Sequence, residues 1–125
     1  MASMPTPPVV ASVTIEGASN NSTVLVLRHV AGDPIRTAFS PSGSGTISAN
    51  DWADMEVRVN GAKVATTGDK PNDSPVSSGT AYDFIAGDTL ELRLVTPAAL
   101  QPSDVITIIY KPANEVITTT TVPQF

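Results

Sequence analysis

A chain of 125 residues without cysteine has no disulfide framework, no thiolate metal site and no cysteine nucleophile. Its length suits one domain, which buries roughly two-thirds of the surface its unfolded form exposes and needs no covalent staple. A formal net charge of -5, with 15% of residues charged and the seven cations scattered, argues against nucleic acid, whose phosphates demand clustered Lys and Arg.

Met1-Ala2-Ser3 reads as a cloning scar, and Pro5-Thr6-Pro7-Pro8 as a stiff extended spacer. Residues 1–8 are therefore set apart from a single domain spanning 9–125. No apolar run approaches the ~20 residues of a membrane span, and no signal-peptide pattern opens the chain. A native anchor is expected to have been removed together with the natural N-terminus.

Eleven prolines and eight glycines break the chain too often for long helices. Short runs of Val, Ile, Thr and Leu between them read as strands. Val9 to Ile15 is the first, turned by Gly17 to Asn21. Thr23 to His29 is the second, apolar on both faces and so an inner strand, and Gly32-Asp33-Pro34 stops it. Residues 40–50 read as a flexible polar loop. Met55 to Val59, Asn60-Gly61 and Ala62 to Thr66 form a hairpin, since both residues of a type I′ turn need positive φ.

Residues 67–80 read as a second polar loop holding Asp69 and Asn72. Tyr82 to Ile85 is a short strand before the turn Ala86-Gly87-Asp88. Leu90, Leu92 and Leu94 mark a strand with one buried face. Pro97 to Ser103 is a connector with one helical turn. Val105 to Tyr110 is nearly all apolar and so central, and Glu115 to Val122 is the expected edge strand. About seven or eight such strands predict an all-β chain, an immunoglobulin-like antiparallel β-sandwich.

For catalysis the residues offer little. His29 is the only histidine, no Gly-x-Ser-x-Gly elbow is present, and no phosphate loop or dinucleotide fingerprint occurs. The chain reads as non-enzymatic, with no cofactor, and His29 is expected to bond a nearby loop carbonyl. Asp51, Asp54 and Glu56 cluster before the hairpin, with Asp69 and Asp73 in the following loop, and such carboxylates are weighed for Ca²⁺, which takes ~6–8 oxygens. Their spacing matches no calcium loop, and acids beside turns more often cap them. Asn20, Asn21 and Asn72 each begin an Asn-x-Ser/Thr acceptor triplet in an expected surface turn. Trp52 is weighed as a sugar platform and as a core plug, with the core favoured.

A resemblance enters with Val24 to Ile35. The strand running into His29, Gly32, Asp33, Pro34 and Ile35 resembles the His-x-Gly-Gly-Asp strand stop of archaeal type IV pilin-like proteins, with Ala31 in place of the first glycine. Asp54 to Gly61, ending in Asn60-Gly61, resembles that family's hairpin, and Phe84 to Leu92, with Gly87-Asp88, its Phe-x-x-Gly-Asp strand start. Val105 to Tyr110 with Val116 to Val122 resembles its closing pair, with Pro102-Ser103-Asp104 where a Gly-Asp turn is usual. The resemblance implies an extracellular sandwich behind an N-terminal hydrophobic helix. Its role would be a structural or adhesive filament subunit packed against like subunits. Relatives in the archaellum machinery instead act as envelope anchors that bind S-layer protein. The alternative from a different class is an independent carbohydrate- or matrix-binding module of a surface protein.

Overall fold

The computed structural model describes residues 9–124; the spacer at 1–8 lies outside the described residues. Among these the chain is all-β, with eleven strands and one short 3₁₀ turn, η1 (Lys111–Ala113). One sheet contains β1 (Ala11–Glu16), β2 (Val24–Gly32), β9 (Thr89–Thr96), β7 (Ala65–Pro71) and β4 (Thr46–Ile47), paired in that order. The other contains β11 (Glu115–Thr121), β10 (Val105–Tyr110), β5 (Met55–Val59) and β6 (Ala62–Lys63), in that order. A two-stranded ribbon joins β3 (Ile35–Phe39) to β8 (Tyr82–Phe84). Every pairing is antiparallel.

Alternation decides which face turns inward, because successive side chains of a strand point to opposite sides. Leu25, Leu27, Leu90 and Leu92 of the first sheet are buried, as are Met55, Val57, Ile106 and Ile108 of the second. They form one core with Trp52, Phe39 and Ile35. At ~25 cal/mol per Å² of apolar surface, each such side chain stabilises the fold by ~1.5–3 kcal/mol.

The strand count exceeds the expected seven or eight for identifiable reasons. The ribbon strand β3 follows the Pro34 stop directly, and its Ile35, Ala38 and Phe39 are buried without regular alternation. The loop at 40–50 contains β4, and Ile47 from it reaches the core. Ala62 to Thr66 is not one strand: β6 completes the hairpin, Val64 turns into the core, and β7 crosses to the other sheet. That strand runs on to Pro71, so 67–80 is not wholly loop. The connector at 97–103 holds no helical turn; the only such turn described is η1. An inner position for β2 and β10, and an edge position for β11, agree with the apolar content of each.

The Asn60-Gly61 hairpin forms with φ of 53° and 85°, and pairs Val59 with Ala62 and Arg58 with Lys63. Asn60 also holds the neighbouring strand. Its N–H donates to Val105 O at 2.8 Å, its Oδ1 accepts from Val105 N at 2.9 Å, and its Nδ2 donates to Asp104 Oδ1 at 2.9 Å.

Candidate functional site

Two of the resemblance motifs, the strand stop at His29–Pro34 and the turn at Gly87-Asp88, lie far apart in sequence and meet at one end of the five-stranded sheet. His29 is fully buried near the end of β2. Its Nε2 lies 2.8 Å from the carbonyl of Asp33, which can only accept, so the ring donates from Nε2. The ring makes a T-shaped contact with Phe84, with centroids 5.4 Å apart. Its backbone N–H donates to Asp88 O at 3.0 Å, and its carbonyl accepts from Gly87 N at 2.9 Å. The strand stop and the Gly-Asp turn are thereby one hydrogen-bonded unit.

Gly32 makes the stop possible. Its φ is 101°, and a Cβ there would sit 2.2 Å from Val10 O, so β1 approaches closer than any side chain allows. Asp33 then ties down the start of the chain: its N–H donates to Val10 O at 2.8 Å, and its Oδ2 accepts from Val10 N at 2.9 Å. Pro34 turns the chain toward the ribbon, where Ile35 is buried.

The turn at Gly87-Asp88 has a counterpart at Pro102-Ser103-Asp104, where the resemblance places a Gly-Asp turn. In Ile85–Asp88 the Asp88 N–H donates to Ile85 O at 2.9 Å and its Oδ2 accepts from Ile85 N at 3.0 Å, with Gly87 at φ 96°. In Gln101–Asp104 the Asp104 N–H donates to Gln101 O at 3.1 Å and its Oδ2 accepts from Gln101 N at 2.8 Å, with Ser103 at φ 73°. Ser103 therefore occupies the glycine position of the same turn, and Pro102 presets the residue before it.

Asp51, Asp54 and Glu56 are not brought together. Asp51 Oδ2 accepts from Ser48 N at 2.8 Å and from Ser42 N and Ser42 Oγ, both at 3.2 Å. Burial alone would raise its pKa, but these bonds outweigh burial and hold the carboxyl below its usual range. Glu56 is turned the other way, onto the outer face of the four-stranded sheet, and its side chain is 0% exposed. Asp54 donates its backbone N–H to Thr37 O at 2.9 Å. Among the described residues no group of three or more His, Asp or Glu converges as a metal site.

Glu56 is covered by cations that sequence reasoning did not group. Arg58 Nε bonds its Oε2, while Lys63 Nζ and Lys111 Nζ approach its Oε1 at 3.5 and 3.8 Å. Arg58 was within reach of a sequence argument, being two residues from Glu56 on the same strand face, and Lys63 faces Arg58 across the Asn-Gly turn. Lys111 arrives only because β10 pairs with β5.

Asn20, Asn21 and Asn72 are all exposed. Asn72 is also structural: its N–H donates to Thr89 O at 2.9 Å, its Oδ1 accepts from Thr89 N at 3.0 Å, and its Nδ2 donates to Asp88 Oδ1 at 3.0 Å. Trp52 is core, 4% exposed, with Nε1 donating to Val64 O at 2.9 Å. It offers no sugar-stacking face. No ligand-sized cavity opens among the described residues.

Compared with known proteins, the chain matches no family model, no curated protein and no solved structure.

Proposed function

We propose that the chain is the outward-facing domain of a non-enzymatic structural or adhesive subunit of a cell-surface filament, of the archaeal type IV pilin-like kind. Its fold in this reading is an immunoglobulin-like sandwich. What supports that finer assignment is strand order: without β3, β4 and β8, the sheets read β1-β2-β9-β7 and β11-β10-β5-β6. This is the ABED and GFC-plus-C′ connectivity of such domains. The carrying observation for function is that His29 and Asp33 join Gly87 and Asp88 in one hydrogen-bonded unit. There the single histidine is committed to backbone geometry rather than to a reacting group.

An extracellular position and like subunits as partners follow from the same proposal. An envelope anchor that binds S-layer protein uses the same domain, and the two differ in what precedes Pro5. Among the described residues no helix is long and apolar enough to cross a membrane, so this role places the anchor upstream. Reading the native coding sequence before Pro5 tests it. A processed signal followed by an apolar helix is the expected result, and a coding start there without a helix overturns the proposal.

A further inference from the structure

Asn60-Gly61 is the only Asn-Gly pair in the chain, and its chemistry pulls against its place in the fold. Asparagine followed by glycine deamidates readily, because no Cβ on the second residue keeps its backbone nitrogen from the side-chain amide carbon. Both residues are exposed, and no atom lies within 4 Å of where a Cβ on Gly61 would stand. Gly61 N donates to no backbone carbonyl among the described residues. Nucleophile and water are therefore both in place.

What the fold restrains is the electrophile. Asn60 Oδ1 accepts from Val105 N at 2.9 Å, and its Nδ2 donates to Asp104 Oδ1 at 2.9 Å. Asp104 is itself fixed, since its Oδ2 accepts from Gln101 N at 2.8 Å. Ring closure requires the Asn60 side chain to rotate until Cγ faces Gly61 N, which breaks both side-chain bonds. It also requires the backbone to leave the left-handed conformation, φ 53°, that the hairpin imposes on Asn60.

We propose that Asn60 is a modification site kept silent by the Asp104–Val105 clamp, and that it deamidates only when this end of β5 and β10 opens. In the open form Gly61 N loses its proton to solvent and attacks Asn60 Cγ. The N–Cγ bond forms, the Cγ–Nδ2 bond breaks, and Nδ2 leaves as ammonia, giving a cyclic imide. Water then opens the ring at either carbonyl and leaves aspartate or isoaspartate at position 60. Neither product restores the clamp. Aspartate puts a carboxylate where the amide now donates to Asp104, so two anions face each other. Isoaspartate routes the main chain through Cγ and lengthens a turn built for two residues. A transient opening thereby becomes permanent, whatever role the domain plays.

Peptide mapping by mass spectrometry after incubation at mildly alkaline pH reads the site. Deamidation at Asn60 should run at least about tenfold slower in the folded chain than in the chain unfolded in urea, because it waits on local opening. Asp104→Ala removes the Nδ2 acceptor and should speed the reaction at least about threefold in a chain that circular dichroism shows folded. Asp104→Ser keeps one oxygen for Gln101 N and replaces that variant if it unfolds. Asn20 and Asn21, which lie outside the clamp, should react at the same rate with and without Asp104. Asn60→Asp should unfold at lower urea than wild type. Equal rates in the folded and unfolded chain, or no acceleration in a folded Asp104 variant, overturn the clamp. An Asn60→Asp chain as stable as wild type overturns the claim that the opening becomes permanent.

Discussion

Asn72 does at one end of the molecule what Asn60 does at the other. Each sits at positive φ after a strand, 52° and 53°. Each exchanges two hydrogen bonds with the first residue of the antiparallel neighbour, Thr89 or Val105, and donates its amide to the aspartate before it. One asparagine locks β7 to β9 in the first sheet, and the other locks β5 to β10 in the second.

Truncating either asparagine should cost about 2 kcal/mol, because two side-chain bonds are lost and alanine resists positive φ. Glycine restores the conformation without the bonds, so Asn60→Gly and Asn72→Gly should fall between wild type and alanine. Urea unfolding of the four variants measures this. A neutral result for both alanines would mean that water replaces the bonds.

Three positive-φ positions should respond differently to substitution. Ser103→Gly should stabilise by about 0.5–1 kcal/mol, since glycine suits the turn that Ser103 adopts under strain. Gly87→Ala should cost about 1 kcal/mol, because nothing lies within 4 Å of a Cβ there and only conformation opposes it. Gly32→Ala should cost about 3 kcal/mol, since its Cβ would also meet Val10 O. Thermal unfolding of the three variants ranks them.

Asp69 should make stability fall as pH rises from 4 to 6. Its carboxyl is buried, which pushes its pKa up from 3.8 to about 6, although Thr66 Oγ1 and Ile47 N donate to Oδ2 at 2.7 and 2.8 Å. Since the folded value exceeds the unfolded one, its contribution is fully present below 3.8 and is lost as pH rises through about 6. A shift from 3.8 to about 6 corresponds to a change of at most about 3 kcal/mol. Asp51 works in the opposite sense, stabilising above the unfolded carboxyl value and losing that contribution in acid. Asp69→Asn should therefore remove the loss between pH 4 and 6 and leave the acid limb. Denaturant midpoints from pH 3 to 8 provide the check.

Glycan attachment in the native protein is expected at Asn20 or Asn21 and not at Asn72. The Asn72 amide donates to Asp88 and its Oδ1 accepts from Thr89, whereas among the described residues no side-chain bond holds Asn20 or Asn21. Glycopeptide mass spectrometry distinguishes the sites, and occupancy at Asn72 would contradict this assignment.

Much of this architecture was legible because it is local. Asn60-Gly61 demands its hairpin, the leucines of β9 alternate inward, and Gly32-Asp33-Pro34 ends β2, each through chemistry confined to a few neighbouring residues. The second Asp turn forms where Pro102-Ser103-Asp104 stands for the usual Gly-Asp, with Ser103 taking the glycine's positive φ. Asn72 reads locally as a loop residue opening an acceptor triplet, and its bond to Asp88 exists only because β7 pairs with β9.

The sequence by itself determined the all-β class, the main strands and the turns that end them, since backbone conformation at a turn depends on the residues in it. Only the tertiary structure decided that Lys111 reaches Glu56, that Asp33 and Asp88 share an end, and that a bulge between Thr67 and Lys70 turns Asp69 inward. Those outcomes depend on which strands pair and in what register. A one-residue shift reverses every side chain, and no local preference reports it.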